Sequence, residues 1–342
     1  MSAINPHTKL SSSGLIICLI AALVGAFLWS LAAGPVHIPL FTILKTLLGN
    51  VGHEHVEQLI IVEIRLPRVL LALLVGIGLG MSGAALQALV RNPLAEPGVL
   101  GISSSAALGA VLVFYTGSTD AFPFALPIGG LFGAMCTTAI LFALAQRSLS
   151  TLNLILAGVA INAFTGAVTA LALNLSPNPF AAYEIYFWLM GSFANRSIDH
   201  FWLTLPFATI GIMLLTVCAF RLDAFAFGEE VAGSLGVNTK RTQLFVIAGT
   251  ALAVGSGVAV VGVIGFIGLV VPHLLRPIVG EKPSTLVPLS GIGGGLLTIV
   301  ADNFCRVGVV SGELKIGVVT ALLGAPFLLL IVLKKGKSLW SR

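Results

Sequence analysis

Charge is what this chain has least of. Only 9% of its 342 residues are Asp, Glu, Lys or Arg, against roughly 25% in ordinary soluble domains, while 57% are hydrophobic. That balance excludes a soluble globular protein. The alternating polar and apolar pattern of an outer-membrane barrel is missing as well, which leaves helices, whose backbone polar groups are satisfied internally, as the spanning structure. Ionisable groups are scarce inside the apolar runs, where pumps and ion-coupled carriers keep their relays, so any transport energy is expected to come from outside the chain. An intramembrane enzyme would need convergent His or Asp pairs, and none stands at suitable spacing, so no catalytic residue is expected.

Other absences narrow the reading further. Cys18, Cys136, Cys218 and Cys305 form no C-x-x-C and have no His at ligand spacing; they read as small buried residues and imply neither disulfide nor zinc. "HEHVE" at His53 to Glu57 lacks the H-E-x-x-H spacing and reads as a solvated loop, so no metal is expected. The net charge of +5 is scattered over short connecting segments rather than gathered in a stripe, which argues against a nucleic-acid partner. "GLGMSG", with Gly78, Gly80 and Gly83, lies inside an apolar run and is read as a chance match to a dinucleotide fingerprint.

What is present is a series of ten apolar segments, near 15–33, 69–90, 99–116, 124–145, 154–175, 201–220, 244–262, 263–279, 285–304 and 316–333. Each approaches the roughly 20 residues a bilayer core requires. The first is longer than a signal-peptide core and is read as a retained helix. Residues 244–275 are almost unbroken, and Gly262, Gly265 and Gly268 are the expected point of reversal. An even count puts both termini on one side. With the termini inside, twelve basic residues face the cytoplasm and six face out, which supports that orientation. Gly76 and Gly80, then Gly129 and Gly133, stand four apart and predict closely approaching helices.

Four polar stretches interrupt the apolar pattern. "RNPLAEPGVLG", residues 91–101, is a helix-breaking turn on the inner side. Asn162, Thr165 and Thr169, spaced three and four apart, share a face of the fifth span and read either as a pathway lining or as helix-to-helix hydrogen bonds. "FGEEVAGSLGVNTKR", residues 227–241, opens a short inner helix at Glu229 and Glu230 that Gly236 could end. Asp302 and Arg306, one turn apart at the outer end of span nine, read as a structural i,i+4 pair.

The segment "RLPRVLLALLVGIGLGMSGAALQALVRNPLAEPGVLGISSSAALGAV", followed by "LSTLNLILAGVAIN", "FGEEVAGSLGV", "GFIGLVVPHLLRPIVG" and "GVVTALLGAPFLLLIVLKK", closely resembles the permease family of bacterial ABC importers for iron-siderophores, haem and cobalamin. The likeness runs from about residue 60 to the carboxyl terminus. It implies an all-α polytopic membrane protein of the type II ABC importer permease architecture, with about ten transmembrane helices and both termini cytoplasmic. Residues 1–342 would form one permease domain in the bacterial inner membrane, with 223–241 as a cytoplasmic coupling segment. The implied partners are a second permease copy in a homodimer, two cytoplasmic ATPase subunits and a periplasmic or lipid-anchored substrate-binding protein, all within or against membrane lipid. ATP and Mg would sit on the ATPase, so the chain itself would bind no cofactor and be no enzyme.

Residue by residue, the resemblance implies an inner gate at Asn92, Leu94, Ser150 and Thr151. It implies ATPase contacts at Glu230, Ala232, Leu235 and Gly236, and binding-protein docking at Arg65, Arg68 and Arg306. The implied cargo is an iron chelate, siderophore or haem, with cobalamin as the alternative within the family. A self-contained secondary carrier is the alternative from another class.

Overall fold

Long apolar runs make helices, and all regular structure among the described residues is helical. The computed structural model describes residues 12–49, 55–117, 122, 124–146, 151–176, 179–306 and 313–339. In chain order the helices are α1 (Ser12–Ala32), α2 (Leu40–Leu47), α3 (His55–Leu59), α4 (Leu66–Leu89), α5 (Ile102–Tyr115), α6 (Ala125–Gln146) and α7 (Thr151–Asn174). They continue as α8 (Pro179–Leu189), α9 (Ile198–Phe225), α10 (Glu229–Ser234), α11 (Thr239–Val261), α12 (Ile267–Val279), α13 (Pro283–Arg306) and α14 (Ile316–Leu339). Each of the ten apolar segments becomes a helix, and α2, α3, α8 and α10 are short additions between them.

The ten are not alike in length or burial. Among the described residues, seven helices are long and apolar enough to cross a bilayer, and three apolar helices, in α5, α12 and residues Ile316–Leu330 of α14, are shorter. Of the apolar windows in α4, α11 and α13, 83%, 78% and 61% is buried, against 22%, 28%, 17% and 33% in α1, α6, α7 and α9. The first group is therefore the centre of the bundle and the second its wrapping. On the wrapping helices, side chains such as Ile17, Phe132, Phe164 and Phe220 point outward, as they can only in lipid or against another apolar surface.

Small residues set how closely the central helices pack. A Cβ at Gly76 or Gly80 of α4 would strike backbone carbonyls of Gly294 and Ser290 on α13, and one at Gly109, Gly129 or Gly133 would strike across the α5–α6 contact. Both glycine pairs seen in the sequence are thus points of backbone contact between helices. "GLGMSG" lies wholly within α4, with no strand before it. Cys218 and Cys305 are buried as expected, whereas Cys18 and Cys136 are exposed on the wrapping helices.

Two of the ten helices are too short to span. α5 has 14 residues and α12 has 13, so at about 1.5 Å per residue each covers roughly 20 Å of a ~30 Å core. Both are preceded by irregular backbone. Before α5, a single 3-10 turn, Pro97–Leu100, leads into Gly101 at φ +73°. Before α12 the chain leaves α11 at Gly262, φ +79°, and enters the helix through Phe266, φ +67°. The eighth span therefore begins at Ile267 rather than at 263. Gly268 lies inside α12, where it lets the helix approach the carbonyl of Leu79 and the ring of Pro97, so it is a packing residue and not part of the break.

Irregular backbone among apolar helices has to be paired, because an orphaned amide there costs several kcal/mol. Here neighbouring segments supply the partners. The Ser192 amide donates to the Val261 carbonyl at 2.7 Å, and the amides of Ile316 and Gly317 donate to the carbonyls of Gly191 and Met190 at 3.1 and 3.0 Å. The break before α12, the α8–α9 link and the start of α14 form one knot.

Candidate functional site

A cleft of about 430 Å³, largely apolar but carrying several polar groups, opens where the two interrupted helices meet α7. From α7 come Asn162, Gly166 and Thr169, and from the start of α5 come Ser103 and Ser104. Glu96 and Gly98 close it from the turn between α4 and α5, and Val263 from the break before α12. The turn is seated against α7 because Gly158 has no side chain; a Cβ there would meet the backbone of Val99 and Leu100.

Of the three α7 residues read as a shared face, Asn162 and Thr169 line the cleft and Thr165 does not. Thr165 is 6% exposed and its hydroxyl donates to Ser104 Oγ at 2.9 Å. The helix-to-helix alternative holds at that position. Sequence reasoning missed Ser103, Ser104 and Glu96. Glu96 Oε2 accepts the backbone N–H of Phe266 at 3.3 Å, which places a carboxylate at the N-terminus of α12, where the helix dipole favours it. Burial pushes the Glu96 carboxyl above the usual carboxylate range, and the Phe266 amide partly opposes that shift.

At the inner end, Arg91 takes a left-handed conformation, φ +50°, and Asn92 Oδ1 accepts the Leu94 amide at 2.9 Å, closing an Asx turn. Asn92 and Leu94 are both exposed there. Thr151 is the first residue of α7, and Ser150 lies outside the described residues. Beneath the turn a cavity of about 280 Å³ is lined by Gln87, Arg91, Arg276 and Glu281 among others. Gln87, 3% exposed, donates to the Gly268 carbonyl at 3.3 Å and accepts from Arg276 Nη2 at 2.8 Å. α12 is therefore fastened to α4 at both of its ends.

The coupling segment forms α10 as the acidic residues and glycines predict. Gly228 at φ +109° opens it, and Gly236 at φ +84° ends it, with the Val237 amide returning to the Ala232 carbonyl. Glu229 accepts from Gln243 Nε2 on α11 at 2.7 Å, so α10 is held to the helix that follows it. Glu230, Leu235 and Gly236 are exposed, but Ala232 is 0% exposed and packs inward. Ala232 is therefore a packing residue here, not a surface one. Phe227 and Val231, unremarked in the sequence, are exposed beside Leu235 and make an apolar patch on a charged element.

At the outer end the three arginines that the resemblance assigns to binding-protein docking are turned inward and bonded within the chain. Arg65, 4% exposed, donates to the carbonyls of Leu31, Ala32 and Val36. Arg68 pairs with Asp302 through Nε and Nη2 and with Glu313 through Nη1. Arg306 donates to Asp302, its i,i+4 neighbour, and to Ser30. A π-helical turn, Ile60–Arg65, precedes Pro67, whose missing N–H relaxes the helical register. Together these groups join α1, α4 and α13. No group of three potential metal ligands occurs among the described residues.

The profile of the FecCD transport family matches residues 20–334. The chain is 37% identical over 325 residues to the uncharacterised ABC transporter permease YvrB of Bacillus subtilis, covering 90% of this chain and 91% of that one. To the vitamin B12 import system permease BtuC of Salmonella typhimurium it is 38% identical over 281 residues, 82% of this chain and 85% of BtuC. A solved structure of an ABC transporter described as of the metal-chelate type, in an inward-facing conformation, superposes with TM-score 0.84 at 30% identity, over 94% of this chain and 99% of that one. With the same ten apolar helices and a match along nearly its whole length, the chain belongs to the FecCD transport family and is a multi-pass membrane permease of the ABC importer type.

Proposed function

We propose that this chain, one domain over residues 1–342, is the membrane-spanning half of an importer that carries a metal chelate inward across a bacterial inner membrane. Two copies face each other and enclose a conduit made of their two clefts. The observation that carries this reading is the cleft itself: a largely apolar surface dotted with hydroxyl and amide groups, built where the interrupted helices meet α7, with a single ionisable side chain, Glu96, among the described residues that line it. A large chelate needs a wide, weakly interacting passage rather than a dehydrating filter. The energy comes from two cytoplasmic ATPase subunits, which hold ATP and Mg, and this chain hydrolyses nothing.

The parts divide as follows. Asn92 and Leu94, with Ser150 and Thr151 at the entry to α7, form the inner gate. Glu230, Leu235 and Gly236 meet the ATPase, with Phe227 and Val231 added to the contact because they expose apolar surface beside Leu235. The substrate-binding protein docks on the outer face, and the internally paired Arg65, Arg68 and Arg306 hold that face in shape beneath it. The resemblance to iron-chelate permeases supports an iron chelate as cargo, and the 38% identity to a vitamin B12 import permease favours cobalamin as a second reading.

Reconstitution tests this. The chain is placed in vesicles with and without its ATPase and binding protein, and uptake of radiocobalt-labelled cyanocobalamin and of radioiron chelates is followed. ATP-dependent accumulation is expected only with all three components. Accumulation by the chain alone would overturn the reading in favour of a self-contained carrier.

A further inference from the structure

Glu96 is the one ionisable side chain among the described residues that line the cleft. Its surroundings there are hydroxyls, an amide, glycines and apolar groups. One carboxylate oxygen is committed to the Phe266 amide. The other makes no hydrogen bond to the described residues and is not sealed from the cleft. The bond to Phe266 holds the group in place, and Pro97, its φ locked by the ring and its side chain buried against Gly268, anchors the backbone that carries it. A carboxylate is an acceptor only, and beside the largely apolar walls of the cleft its field is less screened than in bulk water.

We propose that Glu96 acts as a charge filter of the cleft, favouring metal chelates that are neutral or cationic and rich in hydrogen-bond donors, such as carboxamide groups, over chelates bearing net negative charge. This rests on the reading of the cleft as half of a conduit and narrows the cargo within it. Tris-catecholate iron complexes and haem, with its propionates, are disfavoured. Amide-bearing corrinoids and neutral or cationic hydroxamate complexes are favoured.

Charged thiol reagents test the filter without knowledge of the cargo. In a chain whose four native cysteines are replaced by alanine, Ser103→Cys or Asn162→Cys offers a single thiol in the cleft. Its modification rates by the cationic ethyltrimethylammonium and the anionic ethylsulfonate methanethiosulfonates are compared, each normalised to a free thiol. A fixed unit charge nearby moves the two rates in opposite directions, so Glu96→Gln is expected to lower the cation-to-anion ratio by roughly tenfold, and Glu96→Asp to preserve most of it. A ratio unchanged within twofold in Glu96→Gln overturns the filter, and so does the absence of reaction at both positions. Either result leaves ATP-dependent uptake, the test of the conduit itself, as a separate readout.

Discussion

Asp302 should be the most costly single side chain to remove from the outer end of this protein. Its carboxylate is 2% exposed and accepts from Arg68 Nε and Nη2, each at 2.9 Å, and from Arg306 Nε at 3.1 Å and Nη2 at 2.5 Å. The two guanidiniums are themselves only 8% and 5% exposed. Asp302→Ala leaves both cations buried, Arg68 with Glu313 and Arg306 with Ser30 alone. Breaking a buried pair by deleting one partner costs about 3–5 kcal/mol. In a chain of this size that is a fall of roughly 4–7 °C in melting temperature. Glu313 is the control, since its side chain is 42% exposed and a solvent-screened pair contributes about 0–1 kcal/mol. Glu313→Ala should therefore shift melting by at most about 1.5 °C. Both are read by thermal unfolding of detergent-purified protein. Equal shifts for the two variants, or a shift of under about 2 °C for Asp302→Ala, would refute the assignment of the arginines to internal support.

The other expectations follow from the same geometry. Gly80→Ala drives a methyl group into the Ser290 carbonyl and should cost about 1–3 kcal/mol, seen as reduced folded yield, while Gly25→Ala, with nothing within 4 Å, should leave yield unchanged. Asn162→Leu should reduce cargo uptake at constant melting temperature, whereas Thr165→Val, which deletes the bond to Ser104, should cost about 1 kcal/mol of stability and spare uptake more. Leu235→Asp, at an exposed position, should weaken retention of the ATPase in a pull-down without altering the melting temperature. The Glu96 charge should disappear on acidification. Because burial raises this carboxyl, the cation-to-anion reagent ratio should begin to fall at a pH above the usual carboxylate range, and a midpoint at or below that range would contradict the burial.

The helices were legible because a bilayer demands length, and a run of about twenty apolar residues records that demand directly. The glycine pairs were legible because positions four apart share a helix face. The breaks were harder to read. Residues 261–266, "VGVIGF", are as apolar as the helices on either side, so hydropathy cannot tell helix from irregular backbone there. Rotation about α7 was also underdetermined: at 100° per residue, Thr169 lies about 20° from Asn162 but Thr165 about 60°, and the structure turns Thr165 to Ser104. At the outer end only the local Asp302–Arg306 pair could be seen. The Arg68 partners stand 234 and 245 positions away, and no pattern along the chain announces them.

The same breaks that escaped the hydropathy pattern define where this protein can move. Each half-length helix begins with amides that have no partner in their own helix, and at α12 the carboxylate of Glu96 supplies one of the missing acceptors. The inner turn and the first turn of α12 thus satisfy each other. Gln87 repeats the connection one turn further on, through the Gly268 carbonyl and Arg276. On its other side the break before α12 is knotted to the α8–α9 link through Ser192, and that link to the start of α14 through Ile316 and Gly317. A displacement of the turn at Asn92 that opens the inner end must either carry α12 with it or break the Glu96 bond. Breaking the bond strands the Phe266 amide, whereas carrying α12 keeps it and also keeps the Gln87 bonds if the inner end of α4 moves with the turn. The turn and α12 should therefore move as one body, together with the end of α4 that Gln87 ties to both ends of α12.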